Sequence, residues 1–248
     1  SLTAGGATIA EGFVNNLEIA LLQYGGIREV ADVMRTAGGN DLPWPMMNDT
    51  TVVGSILAEN TAVTTSDMAF SVAVLHAYKF TSGIVLVPVE LLEDYAFNLA
   101  SVIGDALGIR IGRSQSNLFT TGTGAGQPWG IMNTATSGVT AASSTALAAD
   151  DLYTLKHSVD PAYRKGAKWM MHDNILLALK KLKDGMWRYL WQASMAGGVP
   201  DTIDNDPIQI NQSMASALTG TNRTVAYGDL TKYKIRDVAD IRLRRLEE

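Results

Sequence analysis

Residues 88–119 read PVELLEDYAFNLASVIGDALGIRIGRSQSNLF and predict one long helix. Pro88 suits the first helical position, where the missing N–H removes no hydrogen bond. The positions that follow the helical period are Leu91, Leu92, Tyr95, Leu99, Val102, Ile103, Ala106, Leu107 and Arg110. Acidic residues lie in the first turns and basic ones in the late turns, which complements the helix dipole. Such a helix spans about 45 Å at about 1.5 Å per residue, so we interpret it as a spine rather than a member of a compact bundle.

The stretch before this helix, residues 50–87, predicts a long β-hairpin. Thr51–Leu57 is rich in β-branched residues, and residues 58–67 are polar. The alternating positions that follow are expected on one strand face, and they are Phe70, Val72, Val74, His76, Tyr78 and Phe80, with Ile84–Val87 as an extension. Two interpretations stay open, an ordinary hairpin within a sheet or one that projects and finds its partner elsewhere. The second rests on the marginal stability of a lone two-stranded ribbon in water.

The remaining predicted elements are shorter. Helices are expected over residues 11–24, from Asp150 or Asp151 to about Val159, and over Asn174–Leu182 with Asp173 as the N-cap. The extended runs are Ile27–Thr36, Asp41–Met47, Ala167–His172, Trp187–Gln192, Ile208–Ile210, Thr224–Ala226 and Tyr233–Ile235. Prolines at 43 and 45 confine the second run to a sheet edge. Residues 120–130 and 134–149 are expected to be loops.

Composition indicates a folded protein without cysteine chemistry. Of the 248 residues, 46% are hydrophobic and 18% are charged, which supports a packed core. The lack of cysteine excludes disulfides and cysteine-based zinc sites. No apolar run reaches the length of about 18 residues that a transmembrane helix needs. The net charge of −5 argues against a protein that grips DNA directly through a basic patch.

Charge is unevenly distributed along the chain. Residues 1–78 hold eight acids and two bases, and the first lysine is Lys79, whereas the remainder holds 18 bases against 17 acids. An acidic arm of this kind is typical of an ordinary solvated surface, which is the default interpretation. It is also compatible with charge-complementary packing between copies of the chain.

The Gly-rich loop TTGTGAGQPWG at residues 120–130 is the main candidate for a ligand site. A phosphate-binding P-loop needs a lysine at its end and a strand before it, whereas this loop has no lysine and follows a helix. The G-x-G-x-x-G register is missing as well. We therefore expect Gly124, Gly126 and Gly130 to serve a turn with positive φ rather than a nucleotide.

Other chemistry-bearing residues lack a pattern that would join them. His76, His157 and His172 belong to no zinc signature. Asp204-Asn205-Asp206 is similar to the beginning of a calcium loop, but neither the glycine nor the distal glutamate completes it. No G-x-S-x-G motif supplies a serine nucleophile. We predict no catalytic residue, no metal ligand and no cofactor-binding residue, and hence no cofactor.

Five segments, in family order, resemble the major capsid proteins of tailed bacteriophages. They are LAENTAVTTSD (57–67), PVELLEDYAFNL (88–99), LFTTGTGAGQPWGIM (118–132), KWMMHDNILLALKKLKDGMWRYLWQ (168–192) and AYGDLTKYKIRDVADIRLRRLEE (226–248). The third is the most specific, because it is similar to the family's G-x-G-x-x-x-P-x-G-I loop. The resemblance implies the α+β phage major capsid fold, with a peripheral domain of spine helix and long β-sheet and an axial α/β domain.

The same resemblance implies a division of this chain. Residues 1–49 would form the N-terminal arm and first strands, and residues 50–87 an extended β-hairpin loop that lies on a neighbouring subunit. The peripheral domain with the spine helix and Gly-rich loop would cover 88–148, and the axial domain 149–230. Residues 231–248 would return to the peripheral domain.

The function implied by the resemblance is structural rather than enzymatic. The subunit is expected to self-assemble into pentamers and hexamers of an icosahedral shell, the capsid of a tailed phage or prophage. The implied partners are itself, a portal protein, a scaffolding segment or protein with a maturation protease, and double-stranded DNA enclosed without sequence-specific binding; no membrane is implied. The expected location is the virion, after assembly in the bacterial host cytoplasm. The start Ser-Leu-Thr, without Met, fits removal of a scaffolding segment, and it fits equally well a sequence that begins later than the natural start.

Two alternatives stay open, an encapsulin-type nanocompartment with an enzyme cargo and an enzyme with a Gly-rich ligand loop. The chain also departs from the family pattern. No lysine lies in residues 1–78, so we do not expect the covalent cross-link that some relatives form through a lysine of the extended loop. Asn205 stands two residues before Pro207, where the family often has a glycine.

Overall fold

The computed structural model describes most of the chain, in segments. The described residues are 26–50, 52–54, 56–57, 59–60, 62, 68, 70–86, 99–191 and 201–238. They divide into two compact units, the first within residues 26–34 and 78–235 and the second within 35–77 and 236–238. The predicted helix over 11–24 and the beginning of the spine helix at Pro88 lie outside the described residues.

Helices and strands are mixed along the chain, as the predicted α+β class requires. The helices are α1 (Leu99–Thr121), α2 (Ile131–Thr134), α3 (Ala149–Ser158) and α4 (Asp173–Lys180). The strands are β1 (Asp32–Thr36), β2 (Leu42–Met47), β3 (Phe70–Leu75), β4 (Lys168–Met171), β5 (Thr202–Ile203), β6 (Asp206–Ile210), β7 (Val225–Gly228) and β8 (Lys234–Val238). No helix in the described part of the chain is long and apolar enough to cross a membrane.

The largest sheet has four strands in the order β5-β6-β4-β7. Its central strand β4 runs parallel to β6 and antiparallel to β7. Strands β2 and β3 form an antiparallel hairpin, from the pair Leu42 and Leu75 to the pair Met47 and Phe70. Strand β1 pairs with β8, so the runs on either side of residues 37–40 do not pair with each other.

Strand β4 forms the centre of the core of the first unit, and it confirms the buried strand predicted there. Trp169, Met170 and Met171 are at most 1% exposed. Met170 belongs to a cluster that includes Phe119 of α1. Trp169 and Met171 belong to a second cluster, which includes Ile175 of α4. Because side chains alternate along a strand, β4 is covered by apolar side chains on both faces.

The spine helix is confirmed over its described part, but its buried side differs from the prediction. The buried residues are Gly104, Leu107, Gly108, Gly112, Ser116, Phe119 and Thr120. Ala106 and Arg110, which the period placed on the apolar side, are exposed. Most of the buried positions carry small residues at a spacing of four, so a pattern read from large apolar side chains misses this side of the helix.

Two predicted helix caps are replaced by neighbouring residues. Asp173 is the first residue of α4, and its N-cap is His172, whose Nδ1 accepts a hydrogen bond from the Asn174 N–H at 3.0 Å. Helix α3 begins after Ala148. Asp151 binds the start of that helix from inside, because its Oδ2 accepts from the Ala148 N–H at 2.9 Å. Both helices nevertheless have their first amides satisfied by a side chain.

Three extended runs are shorter than predicted. Residues 27–31 form a turn, in which the Ala31 N–H donates to the Ile27 oxygen at 2.9 Å, and only β1 is extended. The described residues of Thr51–Leu57 lie in no strand, so the first arm of the hairpin is β2. The described part of Trp187–Gln192 forms no strand either, and Trp187 has a φ of +64°, which ends an extended run.

Candidate assembly surfaces

The hairpin of the second unit carries an apolar surface on one side. Its register places six residues on that side, which we call the apolar hairpin face: Pro43, Pro45, Met47, Phe70, Val72 and Val74. All six are exposed, with Phe70 at 73% and Val72 at 60%. The predicted alternation is confirmed within β3, although the strand ends at Leu75, before Tyr78 and Phe80. A continuous exposed apolar strip is typical of an interaction surface.

The opposite side of the hairpin is partly covered. Leu42, Trp44, Ala73 and Leu75 are half-buried there, and the two prolines stand opposite valines on the exposed side. Because each proline lacks an N–H, β2 cannot offer a full ladder to another strand. The apolar hairpin face therefore suits a contact through side chains rather than addition of a further strand.

The ring of His76 lies at the base of the hairpin. Its Nδ1 is 2.8 Å from Oδ1 of Asp41, one step beyond the pair Leu42 and Leu75. His76 therefore contacts the residue that directly precedes β2. His157 lies on α3 and His172 caps α4, so the structure brings none of the three histidines together.

A second exposed surface lies in the first unit, on the turn of residues 183–190, which we call the aromatic tip. Trp187 is 80% exposed, and the Lys183 Nζ lies 5.3 Å from its ring centroid and 4.9 Å from that of Tyr189. Backbone hydrogen bonds close the turn at both ends, from the Asp184 N–H to the Arg188 oxygen at 2.8 Å and from the Leu190 N–H to the Leu182 oxygen. The exposure of these rings is therefore not a sign of a loose segment.

The carboxylate of Asp184 holds this turn in shape. Its Oδ1 accepts from the backbone N–H of Arg188 at 2.9 Å and from that of Met186 at 2.8 Å, and its Oδ2 accepts from the Arg188 guanidinium. The hydrogen bond from the Arg188 N–H has the largest effect and lowers the pKa of Asp184; desolvation, the next largest effect, opposes it, and the hydrogen bonds from Met186 and the guanidinium add to the lowering, so the net shift is downward. The carboxylate accordingly stays ionised in its bonded form.

The Gly-rich loop is closed by its own hydrogen bonds. The Gly122 N–H donates to the Leu118 oxygen at 2.8 Å, and the Gly130 N–H donates to the Gly122 oxygen at 2.8 Å. The Gly124 N–H donates to the Pro128 oxygen at 3.3 Å. A phosphate cradle needs several free N–H groups that converge on one point. These three amides are engaged within the loop, which argues against a nucleotide site there.

The glycines of this loop are required by turn geometry and by close packing. Gly124 and Gly126 have φ values of +79° and +68°, which confirms the predicted positive φ. Gly130 is different, because its φ is −77°, so its predicted positive φ is wrong. A Cβ on Gly130 would lie 2.4 Å from the Gly122 nitrogen, and one on Gly122 would lie 2.2 Å from a carbonyl oxygen. Backbone crowding therefore replaces ligand binding as the reason for the motif.

We expect Gly122→Ala to destabilise the subunit strongly, because the new methyl would overlap two carbonyl oxygens within 2.4 Å. Overpacking of this kind costs about 1–3 kcal/mol or more. Gly126→Ala is the matched control, since nothing lies within 4 Å of its Cβ and only the φ is unfavourable. It should cost about 1 kcal/mol. Urea unfolding of the two variants compares them, and equal losses would contradict the crowding argument.

The two aspartates of the calcium-like sequence bind a lysine. Lys156 Nζ lies 2.6 Å from Oδ2 of Asp204 and 2.8 Å from Oδ2 of Asp206. The Tyr227 hydroxyl donates to Oδ2 of Asp206 at 2.8 Å. Asp204 and Asn205 have φ values of +50° and +67°, so Asn205 adopts the left-handed conformation that a glycine takes easily. These contacts give the two carboxylates a positive partner and do not support a calcium loop.

This cluster raises the pKa values of Lys156 and Tyr227. Desolvation lowers the pKa of Lys156, but hydrogen bonds and charge attraction from Asp204 and Asp206 outweigh it, and the net shift is upward. Desolvation, followed by the hydrogen bond to Asp206, raises the pKa of Tyr227 to about 12. Both protonated forms are therefore favoured by folding. Their contribution to stability is complete at neutral pH and is lost in the alkaline range.

The stability of the subunit should fall between pH 10 and 12, because unfolded tyrosine ionises near 10.0 whereas folded Tyr227 ionises near 12. Tyr227→Phe removes this ionisation together with the hydrogen bond. The variant should be less stable by about 1 kcal/mol at pH 8. The difference should narrow as the pH rises, since only the wild type loses the tyrosine contribution. Thermal melts at a series of pH values, with exposed Tyr153→Phe as control, check this; a constant difference would contradict it.

The remaining residues that could carry chemistry do not lie together in the described part of the chain. Among the described residues, no three or more His, Asp or Glu side chains are arranged to hold a metal ion. The sequence did not identify the exposed prolines and Met47 of the hairpin face, although proline on an edge strand was a signal. It also missed the aromatic tip, for which the alternation of Trp187, Tyr189 and Trp191 was interpreted as a strand.

Solved structures of capsids share this fold. The capsid of an empty GTA particle, computed with C5 symmetry, matches with a TM-score of 0.72 at 23% identity. The matched region covers 88% of this chain and 78% of the GTA capsid chain. The capsid of a native GTA particle has a TM-score of 0.73 at 22% identity, with coverages of 98% and 82%. A structure from Mycobacterium phage Cain has a TM-score of 0.62 at 14% identity, with coverages of 89% and 72%.

No curated protein matches the chain. The model of the phage capsid family, in contrast, matches residues 5–248. This match covers almost the whole chain, and it agrees with the fold of the capsid structures and with an apolar face exposed on the single subunit. The family match and the shared fold imply that copies of this chain associate with one another in a capsid. The chain belongs to the phage capsid family and is a shell-forming structural subunit.

Proposed function

We propose that this subunit forms pentamers and hexamers that close into the icosahedral capsid of a tailed phage or prophage. The observation that carries the proposal is the apolar hairpin face, six apolar residues without a polar one, all exposed on the single chain. In the capsid this face lies against a neighbouring subunit. Of the two interpretations of the hairpin, the proposal takes the projecting one, which the exposure of this face supports.

The energetics favour assembly through many copies of this contact. Full burial of a valine, methionine or phenylalanine side chain contributes about 1.5–3 kcal/mol. The face carries two valines, a methionine and a phenylalanine. Burial of one hairpin therefore contributes the burial free energy of several such side chains, from which the entropy cost of association is subtracted. Each subunit in a closed shell both donates a hairpin and receives one. Modest contacts therefore add up to a stable particle.

The wider organisation follows the division stated for the sequence. Residues 1–49 act as the arm and first strands, and 50–87 as the extended loop, whose hairpin takes its first strand, β2, from the end of the preceding segment. Residues 88–148 and 231–248 act as the peripheral domain and 149–230 as the axial domain. Assembly takes place in the cytoplasm of the bacterial host, with a portal protein and with a scaffolding segment or protein that a maturation protease removes. The subunit has no enzymatic role, which the closed Gly-rich loop supports.

The particle encloses double-stranded DNA without reading its sequence. A net charge of −5 supports enclosure rather than tight binding, because DNA-gripping proteins neutralise phosphates with clustered Lys and Arg. The acidic balance of residues 1–78, in particular, disfavours a role for that segment in phosphate contacts.

Negative-stain electron microscopy, together with light scattering over protein concentration and salt, tests the proposal. Closed shells, or rings of five and six subunits, are the expected result. A monomer under every condition, also when co-expressed with scaffold and portal, would overturn it. The content of purified particles separates the two kinds of shell: nuclease-protected DNA is expected, whereas a protein cargo without DNA would indicate a nanocompartment.

A further inference from the structure

One arginine of β8 holds the base of the hairpin in the second unit. The guanidinium of Arg236 donates four hydrogen bonds, one from Nε to Oγ1 of Thr36 at 2.9 Å and one from Nη2 to the Gly38 oxygen at 2.6 Å. Its Nη1 donates to the Asn40 oxygen at 2.6 Å and to the Leu75 oxygen at 3.0 Å. Three of the four acceptors are backbone carbonyls. We call this arrangement the Arg236 clamp.

The clamp joins three segments that are distant in sequence, which are β8 itself, residues 36–40 and the end of β3. Thr36 ends β1, Gly38 and Asn40 lie in the turn before β2, and Leu75 is the last residue of β3. The acceptors therefore surround the point at which both hairpin strands meet the rest of the second unit. Next to it, the contact of His76 with Asp41 joins the same two strand ends. Above this base, β2 pairs with β3 from Leu42 and Leu75 to Met47 and Phe70.

A planar guanidinium suits this position for a physical reason. Its N–H groups point in fixed directions, so four acceptors that satisfy it must keep fixed positions relative to one another. An arginine bonded to several carbonyls thus specifies an angle between segments as well as a contact. A lysine supplies the same charge but no fork, and it cannot impose this geometry.

The angle at the base matters most at the end of the hairpin. A six-residue strand such as β2 is about 20 Å long, so a tilt of about 10° at its base moves its end by about 3–4 Å. A displacement of this size separates apolar side chains from a partner surface, because dispersion contacts fade within about 1 Å. The apolar hairpin face can meet a neighbour repeatedly and identically only if its base is rigid.

We propose that Arg236 is the positioning residue of the hairpin, which sets the angle at which the apolar hairpin face is presented to a neighbouring copy of the chain. The inference rests on the proposed function, because it concerns the surface through which the copies associate. Arg236 acts through the carbonyls of the turn before β2 and of the end of β3.

Arg236→Lys is the test variant, and Arg223→Lys is the matched control. Arg223 also donates from its guanidinium to backbone carbonyls, those of Met132 and Ala135, but it does so in the first unit. Both variants keep the positive charge and lose the planar guanidinium, whose several N–H groups point in fixed directions. Thr36→Val is a milder second variant, which removes the acceptor of the Nε bond together with the longer hydrogen bonds that the Thr36 hydroxyl donates to the Gly38 and Asp237 oxygens, and it remains informative if Arg236→Lys does not fold.

Two measurements decide the proposal. Hydrogen exchange on the unassembled subunit should become about tenfold faster over residues 42–47 and 70–75 in Arg236→Lys, and less so in Thr36→Val. Electron microscopy of the assembled protein should then show irregular or broadly distributed particles for Arg236→Lys. Arg223→Lys should change neither readout, although it lowers the melting temperature.

The outcomes separate the inference from the function on which it rests. Wild-type protein that forms no shells would contradict the proposed function, while the exchange measurement still tests the clamp. Wild-type shells together with unchanged shells and unchanged exchange in Arg236→Lys would overturn the positioning role. Faster exchange with shells of unchanged diameter would also overturn it, because the clamp would then serve local stability alone.

Discussion

Val72→Asp should abolish shell formation and leave the free subunit folded. The side chain of Val72 is 60% exposed on the single chain, so a carboxylate there meets water and changes stability little. In the assembled state the same carboxylate would be buried among Pro45, Phe70 and the neighbouring copy. Loss of one apolar side chain removes about 1.5–3 kcal/mol per contact, and an unpaired buried charge adds a penalty of several kcal/mol.

In Val72→Asp, the protein concentration at which light scattering first detects shells should rise strongly. A penalty of about 3 kcal/mol per contact corresponds to more than a hundredfold in affinity, so no shells should form at a hundredfold the wild-type threshold. Ser71→Asp is the matched control, because the neighbouring exposed residue points to the opposite side of β3. Assembly of Val72→Asp at the wild-type threshold would contradict the role of the apolar hairpin face.

Trp169→Ala should unfold the first unit or bring it close to unfolding. The indole is 1% exposed, its Nε1 donates to the Ile203 oxygen at 3.1 Å, and its ring centroid lies 4.4 Å from that of Tyr227. Removal of a buried tryptophan side chain costs about 3–5 kcal/mol, which is a large part of the about 5–15 kcal/mol that stabilises a domain. Urea unfolding followed by circular dichroism measures the loss.

Trp187→Ala provides the control within the same unit. Trp187 is 80% exposed, and the Lys183 ammonium group lies 5.3 Å from its ring centroid, so its removal should cost less than about 1 kcal/mol. If Trp169→Ala and Trp187→Ala lose a similar free energy of unfolding, burial does not determine how much each tryptophan contributes to stability. If Trp187→Ala instead prevents assembly without destabilising the subunit, the aromatic tip is a second contact between copies.

The elements that were predicted well are those with a strong local pattern. Strand β4 carries three consecutive apolar residues, Trp169–Met171, between Gly166 and the cap of a helix, and their burial follows from composition alone. The order of capsid-like segments indicated the family, which the family model confirms over residues 5–248. The positive φ of Gly124 and Gly126 follows from the clustering of glycine in a loop.

The errors have identifiable physical causes. The buried side of α1 was misplaced because Gly104, Gly108 and Gly112 allow close approach without contributing to an apolar period. The first hairpin arm was placed over Thr51–Leu57 because β-branched residues favour strands, whereas the arm that forms contains two prolines, Pro43 and Pro45. In each case the packing of segments against one another, and not the local secondary-structure propensity, determined which residues were used.

The sequence by itself determined the family, the α+β class and the positions of most helices and strands, because these depend on periodicity, turn residues and motif order within short windows. The tertiary structure alone decided the pairing of β1 with β8, the four acceptors of Arg236 and the capture of Asp204 and Asp206 by Lys156. These contacts join residues between about 48 and 202 positions apart. Such pairings depend on the folded path of the chain, which no local pattern records.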